Sequence, residues 1–181
     1  NLDINEAFRT IAPEKDVDGF NPLNIGKLCL NQDTFVSCTP YGIMKLFEAY
    51  GIELEGKDVT IVGRSNIVGK PLIQCCLRKN ATVTVCHSKT KDLKKHTKDA
   101  DVVIMAIGKS KFLKADMIKE GAVVIDVGIN RDSEGKITGD ADFDNILSKA
   151  SFITPVPGGV GPMTIAMLMN NIIKAAEMQN K

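Results

Sequence analysis

The chain has no surplus of either charge: 23 lysines and arginines stand against 22 aspartates and glutamates in 181 residues. A near-neutral balance gives no field to attract nucleic acid or an anionic membrane surface, so neither is expected as a partner. No apolar run approaches the roughly 20 residues of a bilayer span. The first residues, Asn1-Leu2-Asp3-Ile4-Asn5-Glu6, lack the basic region and apolar stretch of a secretory signal. There is no Cys-x-x-Cys pair and no His/Cys cluster, and the adjacent Cys86-His87 offers too few ligands for zinc. The five cysteines (Cys29, Cys38, Cys75, Cys76, Cys86) are odd in number and lie in or beside apolar segments. That fits reduced thiols in a cytoplasmic protein better than a disulfide framework. Repeats and low-complexity segments are also missing. What is present is an ordinary globular composition, 44% hydrophobic, long enough for one domain or one domain plus part of another.

Three parts follow along the chain. Residues 1–36 are polar and turn-rich, with a short helix expected over 3–11, stopped by Pro13, and a loop through Asp16-Val17-Asp18-Gly19-Phe20-Asn21-Pro22. They hold too few apolar residues for a core of their own. Residues 37–155 alternate strand-like runs (59–62, 82–85, 102–105, 123–125, 152–154) with helical stretches (41–50, 68–77, 93–98). Unbroken Val/Ile runs mean strands covered on both faces, which predicts a doubly wound α/β fold with a parallel sheet. Residues 156–181 open with a proline- and glycine-rich loop and continue as a helix over 164–178. One apolar stripe (Ile165, Leu168, Met169, Ile172, Ile173) requires that helix to pack against something.

The chemistry begins where the first strand runs into Gly63-Arg64-Ser65-Asn66-Ile67-Val68-Gly69. A strand, a glycine turn and a helix start aim backbone N–H groups and the positive helix end at a phosphate. The usual fingerprint is GxGxxG; here Ser65 replaces the middle glycine and the spacing to Gly69 is longer. A plain strand-to-helix turn would look similar, but the loop opens the first βαβ unit, where dinucleotides bind. The second strand ends Cys86-His87-Ser88-Lys89-Thr90 with no acid before Asp92. Arg64, Ser88 and Lys89 suit a ribose 2′-phosphate and leave a bare ribose without an acceptor, which points to NADP; solvated loop residues are the plainer alternative, and His87 can equally be structural. Small residues at Ala106-Ile107-Gly108 and Val127-Gly128-Ile129-Asn130 suit the approach of a flat ring. In 154–164, prolines fix the chain direction while Gly158, Gly159 and Gly161 expose backbone, so the loop reads as a ligand-facing rim. It is not a Walker loop, since no lysine precedes Thr164.

Two other patterns carry less. Asp16-Val17-Asp18-Gly19 begins like a calcium loop, but its glycine comes too early and the bidentate glutamate is missing. Tyr41 and Lys45 sit one helical turn apart, as a proton-transfer pair would. In short-chain dehydrogenases such a pair follows the glycine loop; here it precedes it.

Together the motifs resemble one family: the bifunctional methylenetetrahydrofolate dehydrogenase/methenyltetrahydrofolate cyclohydrolases. The resemblance runs through Pro13-Glu14-Lys15-Asp16-Val17-Asp18-Gly19-Phe20, Cys38-Thr39-Pro40-Tyr41-Gly42, the stretch 63–71, Cys86-His87-Ser88-Lys89-Thr90, and the stretches 121–130 and 154–167. It implies a Rossmann-like NADP domain over 37–160, a remnant of an N-terminal folate domain over 1–36, and a C-terminal helix over 161–181 returning toward that domain. It also implies oxidation of 5,10-methylenetetrahydrofolate with NADP, hydrolysis of the methenyl product to 10-formyltetrahydrofolate, and a cytoplasmic homodimer acting on a small folate substrate. By matching position, Asp18 becomes the acid that binds the pterin. NADP falls on Gly63, Arg64, Ser65, Ser88 and Ile129, and the loop Pro157, Gly158, Gly159, Gly161 lines the substrate cleft; no metal is implied. A carboxylate at Asp18 can accept two parallel hydrogen bonds from a ring N–H and its exocyclic amine.

The family's catalytic tyrosine and lysine belong to a domain preceding the Asp16-Val17-Asp18-Gly19-Phe20 motif, and no residue here occupies their positions. The expectation is a chain without that domain, binding cofactor, turning over poorly, and leaving the apolar stripe of its last helix exposed. Three readings stand at this point: the folate enzyme or its cofactor half, a non-catalytic NADP-binding module, and a different NADP dehydrogenase using Tyr41 and Lys45.

Overall fold

Runs of β-branched residues without polar alternation satisfy both faces only inside a layered sheet, and the computed structural model places them there. It describes residues 3–132 and 134–180. Asn1, Leu2, Ser133 and Lys181, which fall within the expected segments 1–36, 37–160 and 161–181, lie outside the described residues. In chain order the elements are α1 (Ile4–Thr10), a 3-10 turn (Pro13–Lys15), α2 (Pro22–Cys29), α3 (Cys38–Ala49), β1 (Asp58–Val62), α4 (Gly69–Leu77), β2 (Thr82–Cys86), α5 (Leu93–Thr97) and β3 (Val102–Met105). Then come a second 3-10 turn (Ala115–Met117), β4 (Val123–Asp126), β5 (Asn130–Arg131), β6 (Ile137–Thr138), α6 (Phe143–Ile146), β7 (Phe152–Ile153) and α7 (Val160–Gln179).

Five strands form one parallel sheet in the order β2-β1-β3-β4-β7, with Ile61 level with Ile104 and Ile104 level with Ile125. Because successive side chains point to opposite faces, Val59, Ile61, Val102, Ile104, Val123 and Ile125 join one buried cluster with α3 and α4. Val62, Val103, Met105 and Val124 join the other, with Ile118 and Ile146. Each buried Val or Ile stabilises the fold by about 1.5–3 kcal/mol. The fold is the doubly wound α/β sheet expected. The chain winds from β1 out to β2, then crosses back to add β3 on the other side of β1, so the winding direction reverses between β1 and β3. Ligands bind outside the carboxyl ends of strands at such a reversal.

The structure departs from expectation in several elements. Pro22, expected at the end of a loop, and residues 23–29, for which no element is expected, form the helix α2. Asn21 caps it by accepting from the Leu23 N–H at 2.8 Å, and Pro22 occupies the first turn, where no N–H is needed. Helices α3 and α7 begin three and four residues earlier than the expected starts at 41 and 164, for the same reason: Pro40 and Pro162 lie within their first turns. The antiparallel hairpin β5–β6 was not anticipated, because two-residue strands leave no periodic signal.

Helix α7 packs against α3 with its small and polar side. Met163 lies against the backbone of Gly42, and the hydroxyls of Thr39 and Thr164 are 3.0 Å apart. Buried Asn171 donates from Nδ2 to the carbonyls of Val17 at 2.8 Å and Val36 at 3.1 Å, tying the first part of the chain to the domain. Lys174 adds an ion pair to Asp33. The apolar residues Ile165, Met169, Ile172 and Ile173 face outward and are exposed. Gly42 lets the backbones approach closely, and the larger side chains are left on the far side of the helix.

Among the described residues no helix is long and apolar enough to cross a membrane. All five cysteines are free thiols: Cys29 is exposed and the other four are buried. Burial pushes Cys75 and Cys76 up to about 12 and raises Cys38 and Cys86 as well, so few of these thiols ionise at neutral pH. A disulfide-exchange reagent such as DTNB should therefore titrate one thiol quickly in the native chain and five after unfolding. Two or more fast thiols would contradict this arrangement.

Candidate cofactor and substrate site

The site is built around the carboxyl end of β1. Gly63 has φ +129° and stands so close to β3 that a Cβ there would overlap the Ala106 carbonyl oxygen. A Cβ on Gly69 would overlap the Gly63 oxygen and press on Arg64 Cα at 2.8 Å. Two glycines thus let the start of α4 sit directly over the strand turn. Ser65, in place of the usual middle glycine, has a defined task. Its Oγ accepts from the N–H groups of Val68 at 3.1 Å and Gly69 at 3.3 Å, and its carbonyl accepts from Lys70 at 3.0 Å. The hydroxyl hydrogen remains to be donated outward. The serine therefore absorbs the first helical donors and re-presents them as one O–H at the exposed edge of the loop. Arg64 and Ser65 are both exposed, and Gly63 is buried.

At the end of β2, residues 87–90 close a tight turn. Thr90 Oγ1 accepts from the His87 N–H at 2.9 Å, the His87 carbonyl accepts from Thr90 N–H at 2.8 Å, and His87 Nδ1 accepts from Lys89 N–H at 3.2 Å. His87 is thus a structural residue that shapes the turn. Ser88 and Lys89 are exposed on it. Strands β1 and β2 are paired neighbours, Val62 level with Cys86, so Arg64 and Ser88 follow adjacent strand ends.

Across the reversal point lies a cavity of about 450 Å³, lined by Thr39, Asp126 to Ile129, Ile137 and the loop from Pro155 to Pro162. Ile129 is 72% exposed at its rim, a large apolar side chain offered to a ligand. Pro157, Gly158, Gly159 and Gly161 all line it. Gly161 lies within the first turn of α7, not in the loop proper.

Asp18 is exposed and is not among the residues lining this cavity. Its neighbour Asp16 is buried and committed to the turn: it accepts from Phe20 N–H at 3.1 Å, Asn21 N–H at 2.8 Å and Asn24 Nδ2 at 2.8 Å. That donor set explains the calcium-like spelling without calcium. Tyr41 and Lys45 are each engaged with another partner. Lys45 Nζ is bound to Glu48 at 2.7 Å, the Tyr41 hydroxyl accepts from Asn170 Nδ2 at 3.4 Å, and neither residue lines the cavity.

Sequence reasoning gave no role to Thr39, Asp126 or Asp140, and placed Asn130 only in a stretch suited to a flat ring. Asp126 and Asp140 are buried acids whose oxygens receive the backbone of the rim loops. The signal was present in Asp126: an acid closing an otherwise apolar strand must be buried and must find donors.

A parallel sheet in this order, with a glycine turn feeding a helix at the reversal point, defines a Rossmann-like dinucleotide-binding domain. The chain belongs to the tetrahydrofolate dehydrogenase/cyclohydrolase family, whose NAD(P)-binding domain matches residues 37–180. The bifunctional protein FolD of Campylobacter hominis is 60% identical over all 181 residues, which correspond to 64% of that protein. A crystal structure of the bifunctional FolD dehydrogenase/cyclohydrolase from Campylobacter jejuni superposes with a TM-score of 0.96 at 53% identity, covering 98% of this chain and 63% of that one. The Trypanosoma brucei enzyme, solved in complex with NADP cofactor and an inhibitor, gives 0.94 at 36% identity, covering 100% of this chain and 64% of that one. The chain spans a little under two thirds of the length of these relatives.

Gly69→Ala tests the close approach at β1. Overpacking there should cost about 1–3 kcal/mol of stability and weaken NADP at least about tenfold, read by thermal melting and by titration. Wild-type values for both would show that the helix start does not need a glycine.

Proposed function

We propose that the chain is the cofactor half of an enzyme that oxidises 5,10-methylenetetrahydrofolate to the methenyl form with NADP and hydrolyses the product to 10-formyltetrahydrofolate. The observation that carries the cofactor choice is the pair of neighbouring strand ends. Exposed Arg64 follows β1, exposed Ser88 follows β2, and no acid stands between Cys86 and Lys91 to hold a bare ribose. The NADP complex of the Trypanosoma brucei relative supports the same cofactor.

In this reading Gly63, Arg64, Ser65 and Ser88 bind the phosphate-bearing end of the cofactor, and Ile129 packs against it farther along. Bound NADP supplies the hydride acceptor, and the chain's residues hold it in place and exclude water around it. The rim Pro157, Gly158, Gly159, Gly161 bounds the folate side of the cavity. Asp18, exposed on a turn that buried Asp16 holds rigid, accepts two parallel hydrogen bonds from the pterin. Residues 1–36 form the tail of a folate domain, 37–160 the cofactor domain, and 161–181 the helix that returns to the folate domain. The exposed apolar face of α7 is the surface that domain covers. The family's catalytic tyrosine and lysine are supplied from outside the 181 residues. The assembled enzyme is a cytoplasmic homodimer.

Arg64→Ala should raise the NADP dissociation constant about tenfold or more while leaving NAD within about twofold; equal weakening would remove the phosphate assignment. Following NADPH absorbance with methylenetetrahydrofolate should show NADP bound by the chain but hydride transfer far below that of a full-length relative. Transfer at the relative's rate would overturn the division of labour. Thermal stabilisation by NADP in a chain that stays inert when joined to a relative's folate domain would establish the non-catalytic module instead.

A further inference from the structure

Two buried carboxylates, one of them in the cavity lining, have no role in the reading above. Asp140 is 0% exposed and gathers four donors. Its Oδ2 accepts from the N–H groups of Ile107 at 2.7 Å and Gly108 at 3.0 Å. Its Oδ1 accepts from Lys109 N–H at 2.7 Å and Asn130 Nδ2 at 2.9 Å. Asp126, 3% exposed, closes the other half of the interlock. Its Oδ1 accepts from the N–H groups of Gly128 and Asp140, both at 2.9 Å, and its Oδ2 from Ala141 N–H at 2.7 Å. Among the described residues neither acid pairs with a lysine or arginine, so their charge is met by amide donors alone. Burial raises the Asp126 pKa despite those backbone donors.

Three successive backbone N–H groups at the end of a strand form the concave donor set that binds phosphate in many proteins. Here that set follows β3, directly across the reversal point from Gly63, and an internal carboxylate fills it. The loop after β3 is thereby closed to a ligand's phosphate and fastened, through Asn130, to the loop after β4. Packing enforces the arrangement: a Cβ on Gly128 would overlap Asp140 Oδ1, and one on Gly139 would overlap Asp126 Oδ2. Val127, Gly128 and Ile129, which line the cavity, are therefore held in register with Ile107 and Gly108.

We propose that Asp140 is a positioning residue for the nicotinamide half of the cofactor: it joins the loops after β3 and β4 into one rim and reserves phosphate binding for the β1 turn. This rests on the NADP reading. The test titrates the whole chain, and its Asp140→Asn and Asn130→Ala variants, with two ligands. NADP spans the whole site, and adenosine 2′,5′-bisphosphate carries only the end assigned to Arg64 and Ser88. Losing part of this charge-assisted hydrogen-bond set should raise the NADP dissociation constant about tenfold in Asp140→Asn, which removes an acceptor and its charge, and about threefold in Asn130→Ala, which removes a donor. The bisphosphate should stay within about twofold in both. Asn130 is only half-buried, so it carries the comparison if Asp140→Asn does not fold. Parallel weakening of the two ligands would make Asp140 a general structural residue, and no weakening of NADP would also overturn the proposal. A wild-type chain that binds neither ligand would refute the NADP reading itself, a result separable from the other two.

Discussion

Everything at the site depends on how closely the chain approaches itself at the carboxyl end of β1. Gly63 touches the Ala106 carbonyl just past β3, and Gly69 touches Gly63, so the first turn of α4 is seated over the gap where the sheet reverses its winding. If either glycine carried a side chain, the helix start would move away from the sheet. The exposed loop between them would then lose its fixed relation to the end of β2. A dinucleotide is long, and it reads relative positions of groups on several strands; a rim that shifts by an ångström loses that reading.

Around this contact the molecule handles its anionic and donor groups in two distinct ways. At β1 the donors of the helix start are collected by Ser65 and passed outward through one hydroxyl, which leaves positive character facing solvent beside Arg64. At β3 and β4 the donors are consumed internally by Asp140 and Asp126. One end of the crevice is open to phosphate and the other is closed to it. On the proposed reading, this polarity gives a dinucleotide its direction in the site.

Helix α7 connects that crevice to the start of the chain. Its first turn borders the cavity with Gly161 and Pro162, and eleven residues beyond Val160, Asn171 grips the carbonyls of Val17 and Val36. Asp18 is thereby held at a fixed distance from the rim through a single rigid element, which is what a ligand spanning both would require. The helix turns its bulky aliphatic face away from α3, because Gly42 and the Thr39 and Thr164 hydroxyls favour close approach on the other side.

The local code was sufficient for much of this. Unbroken Val/Ile runs determined strands buried on both faces, since no other environment suits them, and a strand followed by Gly63 and a helix determined where a phosphate could approach. Arg64 and Ser88 without an intervening acid are what the proposed choice of NADP rests on, because charge and hydrogen-bonding type belong to the residues themselves. The helix α2 carries its start signal in Asn21-Pro22, but a start signal without a long periodic run is ambiguous. The tertiary structure alone decided what depends on partners far apart in the chain. Asp140 meets amides more than thirty residues away, Asn171 meets Val17 from 154 residues away, and the exposed stripe of α7 follows from which of its faces could come closest to α3. A sequence records what each residue can do locally; which buried carboxylate finds which amide is settled only when the layers close.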